Sequence, residues 1–158
     1  MFNIVLVNPE IPPNTGNISR TCAVTGTRLH LIRPLGFEIN DKTLKRAGLD
    51  YWKDLDVSYY DSFEELEAKY SDGRFFLTST HAVRSYADVE YRDGDFLVFG
   101  RETAGLGPEL LTRRAKDAIR IPMRHDQRSL NLSNSAAIVL YDCLLYTSPS
   151  PRDGATSR

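Results

Sequence analysis

The chain has 158 residues, of which 41% are hydrophobic and 26% charged, and a formal net charge of −1. That size and balance suit one soluble globular domain with a core of its own. They exclude binding driven by bulk positive charge, and no apolar run approaches the roughly 20 residues that span a bilayer.

Two cysteines, Cys22 and Cys143, are too few for a disulfide framework and match no metal spacing. They read as buried thiols of a reducing, cytoplasmic compartment. The start lacks a basic segment and breaks at Asn8-Pro9, unlike a signal peptide.

Apolar runs alternate with helical patterns. Phe2–Val7 is continuously apolar except for Asn3, as befits a parallel strand covered on both faces. Gly16–Thr25 reads as a short helix with Ile18, Cys22 and Thr25 on one face. Leu29–Ile32 is a second strand, closed by Arg33-Pro34. Asp41–Ala47 is helical, with Gly48 just past its end. Val57–Tyr60 is a strand, and Ser62–Tyr70 a helix opened by a capping box of Ser62 and Glu65. Phe75–Thr78 and Phe96–Phe99 are strands. Pro108–Arg114 is a helix with proline at its start. Ala118–Ile121 is the last strand and Ser133–Leu145 the last helix. The alternation implies an α/β fold with a mainly parallel sheet flanked by helices, in a single domain over residues 1–145. From Tyr146 the helical pattern gives way to a Ser-, Pro- and Gly-rich tail, expected to be non-native or disordered.

Three segments leave apolar strands and enter helices, the places where α/β sheets bind ligands. The first runs from Asn8 to Arg20, stiffened by three prolines and opened by Gly16. Arg20 is expected about one turn into the helix, reaching back over the loop. The second, Phe99 to Pro108, carries three glycines and Glu102, yet fits neither a dinucleotide fingerprint nor a phosphate-binding loop. It contains no nucleophile elbow either. The third, Ile121 to Leu140, packs Asn131, Asn134, Ser129, Ser133 and Ser135 into a turn and helix start. Ser and Asn compete with backbone hydrogen bonding and favour such places. Backbone-rich loops of this kind suit a nucleoside-like cofactor better than a phosphate-rich one.

His30, His81 and His125 have no metal spacing and no neighbouring nucleophile in sequence. The basic clusters Lys42/Lys45/Arg46, Arg113/Arg114/Lys116 and Arg120/Arg124/Arg128 read singly as solvated surface, although a local basic face remains open.

Together the motifs Asn14-Thr15-Gly16-Asn17-Ile18-Ser19-Arg20, Phe99 to Leu106 and Ile121 to Ala137 resemble those of the SPOUT methyltransferases, in the branch that methylates ribose 2′-hydroxyls of RNA. The resemblance covers residues 1 to about 143. Arg46 to Tyr51 is similar to the compact subfamily acting on the wobble nucleotide, position 34 of tRNA. The resemblance implies a SPOUT fold with a C-terminal trefoil knot and a homodimer packed through the first and last helices. It implies S-adenosylmethionine as cofactor, no metal, and the anticodon stem-loop of tRNA as partner. Thr78, Gly100, Ile121, Ser129 and Leu130 are then expected to bind the cofactor. Arg20 is expected to be catalytic, with Asn14, Glu102 and Asn131 organising the site. Methylation of another ribose or base in tRNA or rRNA, and a non-catalytic RNA-binding role, are the alternatives.

Overall fold

The computed structural model describes residues 1–38, 55–127 and 129–147. The helix expected over Asp41–Ala47, the Lys42/Lys45/Arg46 cluster, the Arg46 to Tyr51 stretch, Arg128 and the tail from Ser148 lie outside them.

Among the described residues, β1 (Asn3–Val7) is followed by α1 (Pro12–Thr25), β2 (Arg28–Ile32) and β3 (Val57–Tyr60). Then come α2 (Phe63–Lys69), β4 (Phe75–Thr78), β5 (Phe96–Phe99), α3 (Pro108–Arg113), β6 (Ala118–Ile119) and α4 (Leu132–Thr147). The six strands form one sheet in the order β3-β2-β1-β5-β4-β6, and every pairing is parallel.

Parallel strands need both faces covered, and the alternation of side chains along them supplies two apolar surfaces. Ile4, Leu6, Leu29, Leu31, Leu97 and Phe99 face α1 and α4, meeting Ile18, Cys22, Ala136, Val139, Leu140 and Cys143. Val5, Phe75, Leu77, Phe96 and Val98 face the other way, onto Phe63 and Leu66 of α2 and onto Leu106. Burial pushes the Cys22 thiol up to about 12 and raises that of Cys143 as well, so both are inert parts of the core.

α2 begins as expected: Ser62 Oγ accepts from Glu65 N at 3.1 Å. The Glu65 carboxylate reaches one residue further back, to Asp61 N at 3.0 Å.

Three boundaries differ from the sequence reading by more than one residue, and one of them is the end of α4, which runs on to Thr147 where Leu145 and a domain end at 145 are expected. α1 starts at Pro12 rather than Gly16, because Pro12 and Pro13 carry helical φ angles and lack the N–H groups a first turn cannot satisfy. β6 ends at Ile119 rather than Ile121. Its neighbour β4 stops at Thr78, and the Arg120 backbone pairs instead with residues 84–86.

No helix among the described residues is long and apolar enough to cross a membrane. At the amino ends of the strands lies a groove of about 610 Å³, walled by charged residues including Arg28, Lys69, Arg74 and Arg92.

Candidate active site at the carboxyl ends of the strands

The loops after β1 and β5 meet where the strand order reverses, since β1 leads outward to β2 while β5 lies on its other side. This is the switch point at which open α/β sheets bind ligands.

Leaving β1, Asn8 adopts the left-handed conformation with φ 55°, which asparagine tolerates better than most residues. Its side-chain amide donates to the Ile32 and Pro34 carbonyls. Gly36 then packs directly on the loop: a Cβ there would stand 2.8 Å from the Glu10 Cα, and its N–H donates to the Pro9 carbonyl at 2.9 Å.

α1 has no cap from its own N-cap residue, Ile11. Glu102 supplies one from the second loop. Its Oε1 accepts from Glu10 N at 2.8 Å and its Oε2 from Ile11 N at 2.8 Å. A carboxylate here also complements the positive end of the helix dipole. The same Oε2 accepts from Asn14 Nδ2 at 3.2 Å, and Asn14 Oδ1 accepts from Asn131 Nδ2 at 3.2 Å. Asn131 in turn caps α4, its Oδ1 accepting from Asn134 N at 3.1 Å and from the Ser133 hydroxyl at 2.6 Å. Glu102, Asn14 and Asn131 thus form one hydrogen-bonded chain across all three loops.

Glu10 answers from the first loop: its Oε1 accepts from Thr103 N at 3.1 Å and Thr103 Oγ1 at 2.7 Å. The Thr103 hydroxyl, then its N–H, hold the Glu10 carboxyl below its ordinary value, with a smaller pull from Arg101. Sequence reading passes over Glu10 and Thr103; the available signal is a carboxylate just before a proline-started helix, facing a second carboxylate loop.

The second loop closes on itself through Gly105 N donating to Arg101 O at 2.8 Å. A Cβ on Gly100 would stand 2.0 Å from the Gly105 carbonyl carbon, so its own loop requires the glycine. Thr78, half-buried at the end of β4, donates to the Val98 carbonyl at 3.0 Å. It pairs with Ile119 of β6; Gly100 follows the last residue of β5, and the half-buried Ile121 lies two residues past the end of β6. Ser129 and Leu130 are exposed, Leu130 at 38%.

Arg20 is placed differently from expectation. With the helix starting at Pro12, it lies more than two turns in, on the outward stripe of Pro13, Asn17, Arg20 and Val24 given by helical spacing. Asn14 and Thr15 face inward and are buried. The structure therefore joins Asn14, Glu102 and Asn131 and leaves Arg20 on another face of α1.

The cluster of Arg113 and Arg114 is tied down rather than presented. Arg113 Nη2 lies 2.7 Å and Arg114 Nε 2.6 Å from the Glu67 carboxylate, and Arg114 Nη1 2.8 Å from Asp117. His30 is likewise structural: its ring nitrogens lie 2.9 Å from Tyr60 Oη and 2.9 Å from Asn3 Oδ1.

The sequence profile of the SpoU rRNA Methylase family matches residues 1–141. The chain belongs to that family. A family relative, the tRNA (cytidine(34)-2′-O)-methyltransferase of Methylovorus glucosotrophus, is 48% identical over 143 residues, covering 90% of this chain and 93% of its own. A solved structure concerned with 2-OH methylation of C/U34 on tRNA superposes with a TM-score of 0.86 at 44% identity, over 92% of this chain and 95% of that one. The SpoU methyltransferase AviRb of Streptomyces viridochromogenes, solved with AdoMet, shares the fold at a TM-score of 0.77 and 24% identity, over 90% of this chain and 56% of its own.

Proposed function

We propose that the protein transfers a methyl group from S-adenosylmethionine to the ribose 2′-hydroxyl of tRNA nucleotide 34, a cytidine or modified uridine, through a single domain over residues 1–145. The observation that carries this reading is the Glu102–Asn14–Asn131 chain. It ties the three family motifs into one site, in a chain nearly half identical to a relative named for that reaction.

The residues present suit the cofactor. Backbone groups beside Thr78, Gly100 and Ser129 offer donors and acceptors for its polar parts, while Ile121 and the exposed Leu130 offer apolar surface to an adenine ring. When bound, S-adenosylmethionine supplies an electrophilic methyl group.

A ribose hydroxyl is a poor nucleophile. Its attack on that methyl group would release the hydroxyl proton to water and would leave the cofactor as a neutral thioether. A guanidinium offers positive charge and N–H donors but no acceptor, and Arg20 acts by stabilising the charge that develops on the 2′-oxygen. Asn14 and Asn131 hold the loops that set the in-line approach, which alone supplies several kcal/mol.

The reading includes a homodimer and a carboxyl-terminal trefoil knot. Val24 on α1 and Ile138, Tyr141 and Leu145 on α4 are exposed by 38–70%, and the two helices are neighbours. Pairing through them brings Arg20, on the stripe of Val24, to the interface. The knot is supported by the path after β6. From that sheet edge the chain recrosses β4 to bring α4 onto β5 and α1.

The test is methyl transfer to tRNA transcripts carrying each nucleotide at position 34, with the product mapped. A 2′-O-methyl group at position 34 is expected. A methylated base, or a methyl group elsewhere in the tRNA, would overturn the reading.

A further inference from the structure

We infer that Glu10 and Thr103 are positioning residues for methyl transfer: they form the return half of a two-carboxylate clasp that locks the start of α1 to the loop after β5.

The clasp is reciprocal. Glu102 of the second loop takes the Glu10 and Ile11 N–H groups at 2.8 Å each. Glu10 of the first loop takes the N–H and hydroxyl of Thr103. Glu102 holds the helix start through three bonds from one side chain, and Glu10 adds a second, crossed attachment from the opposite loop, so that each loop is fixed by the other. Behind the clasp, Gly36 leaves no space for Glu10 to retreat.

The bonds of Glu10 to Thr103 are solvent-exposed, and exposed hydrogen bonds add little to stability. Their effect falls on geometry instead. α1 carries Asn14, while the second loop carries Gly100 and Glu102. The clasp therefore sets the spacing between the two groups, to which a positioned reaction is steeply sensitive.

This inference rests on the proposed activity, and its test separates the two. Thr103→Val removes the hydroxyl at nearly constant shape, Thr103→Ser restores it, and Glu10→Gln weakens the acceptor. In Thr103→Val and Glu10→Gln, kcat is expected to fall about fivefold or more while KM for S-adenosylmethionine changes by less than about twofold. Thr103→Ser is expected to stay near the parent. Amide hydrogen exchange gives a readout independent of activity: Glu10 and Ile11 should exchange about tenfold faster in Thr103→Val, with Ile4 to Leu6 unaltered. An unchanged kcat, or unchanged exchange at Glu10 and Ile11, overturns the clasp. A parent protein inactive on every tRNA overturns the proposed function, while exchange still decides the clasp.

Discussion

His30 carries no chemistry, yet it sets how the protein meets acid. It is 1% exposed among the rings of Tyr60, Tyr70 and Phe96. Asn3 Oδ1 can only accept, so His30 Nε2 carries the proton and Nδ1 accepts from the Tyr60 hydroxyl. Burial depresses the ring from 6.5 to about 4, with a smaller opposing pull from Asp56. Between those values the unfolded chain binds a proton that the folded one does not, so stability falls as pH drops through this window. At pH 5 the loss from this group is about 2 kcal/mol. His30→Gln should flatten that limb of a urea-unfolding series; an equally steep limb would contradict the account. Arg20 belongs to the same scale. Arg20→Ala should abolish methyl transfer while S-adenosylmethionine binding, followed by calorimetry, largely survives. Near-normal turnover would sink its assigned role. The position of such a residue was hard to read from sequence, because Arg20's face depends on where the helix begins, and two prolines read as loop proved to be its first turn.

Among the elements, α1 depends most on its surroundings. Its N-terminus is capped by a residue 91 positions away, a partnership no local pattern reveals. Glu102→Ala should therefore cost about 1–2 kcal/mol in urea unfolding, besides loosening Asn14, and an unchanged midpoint would deny the cap. By contrast, α2 and α4 cap themselves through Ser62 and Asn131, and their starts were legible within a residue. Strands β3, β4 and β5 were legible to the residue, since each is a short apolar or aromatic run between turn residues. β6 was overestimated because Ile121 continues the apolar run after its sheet partner has ended. The link between α2 and α3 has no local sequence signal, since Glu67 and Arg113 lie 46 positions apart. Burial is the largest single influence on the Glu67 carboxyl and raises it, but the hydrogen bonds and charges of Arg113 and Arg114 together outweigh burial and lower it. Two arginines that read from sequence as solvated surface instead join the helices through Glu67.

At the scale of the molecule, the alternation of apolar runs and helical patterns announced the parallel α/β sheet, and the three motifs lie in the loops that Glu102, Asn14 and Asn131 join. The strand order was not legible, since nothing local says that β5 inserts beside β1. The outward stripe of α4 is the clearest sign of a partner surface. Replacing Ile138 and Tyr141 together by Glu puts two charges on it. In light scattering the parent should run as a dimer and this variant as a monomer. A variant that stays dimeric would move the interface elsewhere.

Because all six strands point the same way, the two ends of the sheet differ completely in kind. Glu102, Asn14 and Asn131 gather at one end, while Met1, beside Asp93, marks the other. The five residues of β1 hold the ends roughly 15 Å apart. A dye or surface tether attached beside Met1 would therefore stand clear of an RNA bound at the far end, where the proposed function puts it. Immobilised protein should keep its substrate access, which makes this terminus the natural handle for single-molecule work.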